Sequence, residues 1–304
     1  MISLSTCWVP PGVECLSDLF ETAMELGYRS FEIGVSRLPF NLAEVQKARR
    51  ELGIEIASVH NVASECSNDP KNNRGDFVGY PDETRRGLGV RCLADTIRNC
   101  RAMGGRAVVV HGGCLDGVWV QEMLDEQDAL ADMIRLQGLD ETARDLAAKM
   151  RHHRAEGIGP YLEASLKSLA EVATIAPEII LGLESRYHYY EIPSLDELGV
   201  MFEKLSGGNF GYWHDVGHAQ IQELLGMCEH RDWLERYGDR LVGVHLHGMK
   251  GKRDHHPIAL GGVDFKMLAK YLRPDTIKVL EFNPALAKAD VADALKRLQG
   301  LGIT

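Results

Sequence analysis

The sequence predicts an α/β fold, a single (β/α)8 TIM barrel with a helical excursion after the fourth strand, on three observations. Apolar, β-rich segments alternate with amphipathic helical ones from end to end, in eight strand–helix units, the rhythm of a closed parallel barrel. Six of the eight strands finish on a histidine, glutamate or aspartate. No Gly-x-Gly-x-x-Gly follows the first strand, which argues against an open doubly wound sheet. A chain of 304 residues, 45% of them hydrophobic, is long enough for one such barrel. Residues 1–304 are therefore expected to form one domain, with residues 112–160 as a lid-like insertion.

Ile2-Ser-Leu-Ser-Thr6 reads as the first strand, and the helical spacing from Val13 to Leu26 stops at Gly27. Arg29 to Ile33 is the second strand, Leu42 to Leu52 the second helix, and Ile54 to His60 the third strand. A polar loop runs to about Tyr80, followed by a helix from Pro81 to Met103. Ala107-Val-Val-Val-His111 is apolar up to its last residue, as expected of a strand covered on both faces. Residues 112–160, with the basic knot Arg151-His-His-Arg154, are too long for a plain connection and are expected to lie over the strand ends. Then come a helix (Tyr161 to Ala173), a strand (Glu178 to Glu184), a helix (Leu195 to Leu205) and a sixth strand, Phe210 to Asp215. A mostly helical stretch (Ala219 to Tyr237), a seventh strand (Leu241 to His247), a helix (Phe265 to Leu272), an eighth strand (Ile277 to Glu281) and a helix (Ala287 to Leu298) close the chain.

Composition narrows the class. Met1-Ile-Ser-Leu-Ser has neither the basic lead nor the apolar core of a signal peptide, and no apolar run reaches membrane-spanning length. Seven irregularly spaced cysteines (7, 15, 66, 92, 100, 114 and 228) read as small hydrophobes or loop thiols of a reducing compartment rather than a disulfide framework. A cytoplasmic protein is expected. A net charge of -10 disfavours a nucleic-acid partner without excluding a local basic patch.

The chemistry concentrates where the strands end, because barrel active sites are built from strand tips and the loops that follow them. Those tips are His60, His111, Glu184, Asp215, His245 and Glu281. His218 follows Asp215 by three residues, and Asp254 and His256 enter from the loop after strand seven. His245 and His247 share one face of their strand. His214 alternates away from Asp215 toward packing, while His152, His153, His188 and His230 are expected at the surface or on the lid. Nine candidate ligands exceed what one ion takes, and their mixed nitrogen and oxygen donors favour zinc or manganese, in one to three ions.

Ser58-Val-His60, Val110-His-Gly112, Leu183-Glu184, Asp215-Val-Gly-His218, Val244-His-Leu246, Asp254-His-His256 and Leu280-Glu281 together resemble the xylose-isomerase-like TIM-barrel superfamily. That superfamily contains sugar isomerases, epimerases and the endonuclease IV family. Resemblance to its epimerase-like members implies one divalent ion on Glu184, Asp215, His245 and Glu281, with the two glutamates as an acid–base pair and His218 handling substrate oxygens. Resemblance to endonuclease IV implies a trinuclear zinc cluster on all nine positions and hydrolysis of a phosphodiester, including cleavage at abasic DNA sites.

Three departures weigh against the nuclease. Ser185-Arg-Tyr-His-Tyr-Tyr-Glu-Ile-Pro193 is bulky where those enzymes have a small loop, His247-Gly-Met-Lys250 replaces their Asn-Asp, and residues 112–160 are long. An aromatic and basic set comprising Trp8, Arg186, Tyr187, His188, Trp213, His247, Lys250 and Lys252 suits a small polyol or sugar phosphate. The expected function is metal-dependent isomerisation or epimerisation of a sugar, sugar phosphate or related hydroxycarbonyl compound. Multinuclear phosphoester hydrolysis is the alternative, a non-catalytic sugar- or metal-binding protein a third reading, and a homo-oligomer is left open.

Overall fold

The computed structural model describes residues 1–68 and 75–304. Part of the polar loop expected before Tyr80, residues 69–74, lies outside the described residues. Eight parallel strands close a barrel in chain order: β1 (Ile2–Ser5), β2 (Ser30–Ile33), β3 (Glu55–His60), β4 (Ala107–Val110), β5 (Ile180–Glu184), β6 (Phe210–Asp215), β7 (Leu241–Leu246) and β8 (Ile277–Leu280). β1 closes the ring, with Leu4 beside Phe31 of β2 and Leu280 of β8.

Alternation along the strands divides the apolar residues between two cores. Ala107, Val109, Trp213, Ile277 and Val279 form a cluster of their own inside the barrel. Val108, Val110, Val244 and Leu246 face outward into the larger core under the helices. The Trp213 ring fits only because its neighbours are small: a Cβ on Gly243 would stand 2.1 Å from Trp213 Cζ3.

The surrounding helices are α1 (Leu16–Glu25), α2 (Leu42–Leu52), α3 (Glu83–Ala102), α4 (Val118–Gln137), α5 (Glu141–Gly157), α6 (Gly159–Val172), α7 (Leu195–Lys204), α8 (Val216–Leu224), α9 (His230–Tyr237), α10 (Phe265–Ala269) and α11 (Lys288–Gly300). Local chemistry sets their ends. Asn41, Asp82 and Asp140 cap α2, α3 and α5, and Ser194 and Glu197 form a reciprocal capping box on α7. The helical stretch expected over Ala219 to Tyr237 is two helices, interrupted after α8 where Gly226 takes φ +65. It also starts earlier, because the Asp215 carboxylate caps α8 by accepting from the backbone N–H groups of Gly217 and His218.

Residues 112–160 contain α4 and α5, and side-chain bonds join these helices to each other, to α7 and to loops at the C-terminal ends of the strands. Tyr189 Oη and His153 Nδ1 meet Glu126 Oε2 at 2.6 and 3.1 Å, Arg154 binds Glu197, and Lys252 binds Asp128. Two short antiparallel ribbons edge the same face: Gly113–Cys114 with Glu191–Ile192, and Gly248–Lys250 with Arg253–His256. The cysteine expectation is corrected at one pair. Cys66 and Cys92 form a disulfide that joins the loop after β3 to α3, while Cys7, Cys15, Cys100, Cys114 and Cys228 remain thiols. Sequence spacing does not reveal that approach, since the packing of α3 on the loop creates it. Among the described residues, no helix is long and apolar enough to cross a membrane.

Candidate metal centre

Six of the eight strand ends bring a donor to the C-terminal mouth, and almost all of these donors are buried. One oxygen or nitrogen from each of Glu184, Asp215, His245 and Glu281 lies within 4.8 Å of the others. His245 is the hub. Its Nδ1 stands 2.8 Å from Glu184 Oε1, 3.0 Å from Glu281 Oε2 and 3.5 Å from Asp215 Oδ2. Two further groups flank this tetrad and share its carboxylates: His60, His111 and Glu184 on one side, Asp215, His247 and His255 on the other.

The outer nitrogens of the histidines are fixed by the backbone and neighbouring carboxylates. His60 Nδ1 donates to the Asn61 carbonyl at 2.8 Å, which turns Nε2 toward Glu184 Oε2 at 3.9 Å. His111 sets Nδ1 against Asp76 at 3.5 Å and Nε2 against Glu184 Oε2 at 2.9 Å. His218 Nδ1 donates to the Ser185 carbonyl at 2.8 Å, so Nε2 faces Asp254 Oδ2 at 3.7 Å. Such outward anchoring is how proteins orient imidazole ligands. Gly217 keeps the approach open, since a Cβ there would stand 2.3 Å from His247 Cε1.

Burial opposes ionisation of Glu184, but hydrogen bonds from His111 and His245 and the charge of Arg186 outweigh it and hold the carboxyl well below the usual range. Burial likewise opposes ionisation of Asp215, where His218, His247 and His245 prevail, and of Glu281, where His245 and His255 do. The resulting anionic cluster, with imidazole nitrogens among carboxylates, fits a divalent cation. Those carboxylates crowd into space from which water is largely excluded, and the negative charge left over after these partners is costly unless a cation is bound.

Beside His111 a cavity of about 720 Å³ opens, lined in part by Asn61, Asp76, Tyr80, Arg85, Asp116 and Tyr190. A second of about 450 Å³ lies behind Arg186 and His188, under α5.

With the fold and this geometry in view, residues 20–299 match the sequence model of the xylose isomerase-like TIM barrel. The chain belongs to that family. It is 23% identical over 264 residues to an uncharacterized protein of Methanocaldococcus jannaschii, covering 83% of this chain and 73% of the relative. Solved structures share the fold at low identity. An L-ribulose 3-epimerase superposes with TM-score 0.67 at 16% identity, over 99% of this chain and 94% of that one. The 3-keto-D-glucoside 4-epimerase YcjR of E. coli gives 0.64 at 17%, over 98% of both chains. TTHB071 of Thermus thermophilus, from a crystal soaked with zinc chloride, gives 0.58 at 20%, over 99% and 97%.

Of the residues expected from sequence, this xylose isomerase-like barrel brings His60, His111, Glu184, Asp215, His245 and Glu281 into one cluster, with His218 and Asp254 at its edge. His256 is corrected. It pairs with Gly248 along the ribbon, and its neighbour His255, in a left-handed conformation at φ +56, turns inward instead. His255 Nδ1 is 2.8 Å from Asp254 Oδ1 and its Nε2 is 3.5 Å from Glu281 Oε2. The Asp254-x-His256 spacing pointed to the second histidine of the pair, whereas the positive φ at His255 turns the first toward Glu281.

The expected substrate contacts divide. Trp8 is corrected: it is fully buried and its Nε1 donates to the Leu286 carbonyl at 3.0 Å. Trp213 is corrected as well, to the barrel interior beneath His245, with ring centroids 5.2 Å apart. His247 Nε2 meets Asp215 Oδ1 at 3.2 Å while its Nδ1 accepts from the His255 N–H, so it braces the cluster. Arg186 is buried against Glu184 and Glu191. His188 is near Gln127 of α4, and burial lowers its pKa. Lys250 is exposed on the ribbon.

His230, expected at the surface or on the lid, is instead buried against His214. Sequence reasoning missed Glu32, His255, Asp76 and Glu191. The detectable signal was Glu32, a lone carboxylate inside the apolar strand Phe31-Glu-Ile33.

Proposed function

We propose that this protein is a metal-dependent isomerase or epimerase of a sugar, sugar phosphate or related hydroxycarbonyl compound. The observation that carries this reading is the tetrad of Glu184, Asp215, His245 and Glu281, with two carboxylates converging on one imidazole nitrogen. The epimerase names of the similar barrels support it.

A divalent ion on the tetrad, zinc or manganese, would supply Lewis-acid polarisation of a carbonyl and its neighbouring hydroxyl. Glu281 removes the proton on the carbon beside the carbonyl and returns it to the adjacent position or the other face. Glu184 is the more restrained of the pair, held at 2.6 Å by Arg186 and 2.9 Å by His111. Its part is to fix the ligand set and to act on protons at substrate oxygens. His218, with Nε2 turned to the mouth and Nδ1 spent on Ser185, orients those oxygens. The α4–α5 hairpin acts as a lid over this mouth within a single barrel domain.

A multinuclear phosphoesterase is favoured by one observation, the two flanking donor groups that share Glu184 and Asp215. Metal content decides between the readings. Elemental analysis of protein purified without added metal should give one ion per chain, and incubation with ketoses in deuterated water should place deuterium beside the carbonyl. Two or three zinc ions with phosphate release from an aryl phosphate would transfer the assignment to the phosphoesterase. Failure to bind any added dication would end both.

A further inference from the structure

We infer that Glu32 is a positioning residue whose carboxylate holds His245 in the orientation and tautomer a metal ligand needs. The inference rests on the metal centre proposed above, but not on which reaction occurs there. Strand β2 reads Ser30-Phe-Glu-Ile33, and Phe31 turns outward onto Phe20, with ring centroids 4.8 Å apart. That alternation sends Glu32 inward, to 0% exposure. There it finds two partners. Ser58 Oγ donates to Oε2 at 2.7 Å, and His245 Nε2 lies 3.1 Å from Oε1. Among the described residues, no lysine or arginine makes a salt bridge with it.

A carboxylate buried on those terms is expensive, and an apolar residue of similar volume would serve the fold as well or better. Its use lies in what it does to the imidazole. The His245 ring is already confined in its plane, stacked on His60 at 5.9 Å and 7° and met by Trp213 at 5.2 Å. Confinement does not decide which ring edge faces the mouth. Glu32 does, because an Nε2–H donated downward keeps Nδ1 turned to Glu184, Glu281 and Asp215, where a bound cation would take the place of the Nδ1 proton. A ring flipped by 180° would set carbon against the carboxylate and lose the hydrogen bond. The anion behind the ring also makes Nδ1 a stronger donor. Ser58 fixes the anion in turn, so Ser58, Glu32 and His245 form a column from the barrel interior to the mouth.

Glu32→Gln tests this with Co²⁺ as the probe. The amide keeps the size and an acceptor oxygen but loses the charge. Cobalt affinity should fall by roughly ten- to a hundredfold, with a changed visible absorption spectrum, while the metal-free variant unfolds at the same denaturant concentration as wild type or higher. Ser58→Ala should weaken cobalt binding by a smaller factor, about fivefold, and it decides the matter if Glu32→Gln does not fold. Wild-type affinity and spectrum in the folded variants would overturn the role of Glu32. Absence of cobalt binding by wild type would instead overturn the metal centre itself.

Discussion

On the outer face of β6, Tyr212 Oη meets His214 Nδ1 at 2.6 Å, His214 Nε2 meets His230 Nε2 at 2.9 Å, and His230 Nδ1 meets Gln220 Oε1 at 3.1 Å. One residue further on, Asp215 points to the inner face, where His245 stands among Glu32, Glu184, Asp215 and Glu281. Both clusters are buried, and both are rich in histidine. The outer one closes on itself: each ring nitrogen has one partner, and burial drives the pKa of His214 well down and that of His230 to about 4. The inner one is left with surplus negative charge. Burial works against a cation at His245, but Glu281, Glu32, Asp215 and Glu184 overcome it and raise its pKa far above the ordinary imidazole value. Burial of histidine therefore does not mark a site. Unspent donor capacity with a net charge does, and it calls for a cation.

Glu281→Gln should have the largest effect. It removes the proposed proton carrier and a ligand oxygen while leaving the side chain's shape. Turnover of whichever ketose the wild type accepts should drop about 10²- to 10⁴-fold, with metal affinity weakened, and the fold should remain intact by circular dichroism. Turnover within a few-fold of wild type would remove Glu281 from the chemistry and blur the distinction between the two clusters.

That distinction was partly legible in the sequence. Strand alternation separates His214 from Asp215 and places His60, His111, Glu184, His245 and Glu281 at tips of a common face, because a period of two and a barrel topology suffice for that. Two kinds of information were out of reach. Backbone twist in a short ribbon decides that His255 rather than His256 turns inward, and residue counting cannot sense a positive φ. Tertiary pairing decides that His230 leaves the surface for His214, that Trp8 is spent on Leu286, and that Cys66 meets Cys92. Glu32 falls between the two kinds. Its isolation in an apolar strand was visible, but its partner lies 213 residues away.

His214→Leu should sharpen the comparison from the other side. It takes a partner from the Tyr212 hydroxyl and strands a nitrogen of His230 in a dry layer, and leaving a buried polar group unpaired costs about 1–3 kcal/mol. Urea unfolding should show that loss, whereas cobalt affinity of the folded variant should match wild type. A variant that keeps its stability but loses metal would mean that the outer network serves the mouth.

The smallest effect concerns acid. His230 has a native pKa of about 4 against an ordinary 6.5, so between those values the unfolded chain binds a proton that the native chain refuses. Stability then rises with pH across this window and is lost as pH falls from 6.5 toward 4, by at most about 3 kcal/mol from this group. His230→Gln offers a polar group to His214 without a titrating nitrogen. Unfolding measured in chelator at pH 7 and pH 4.5 should therefore show wild type losing more stability than the variant over the interval. The carboxylates of the mouth are common to both proteins and cancel in that difference. Parallel losses would mean that His230 takes up its proton in the folded protein without penalty, and that the outer network is no more closed than the inner one.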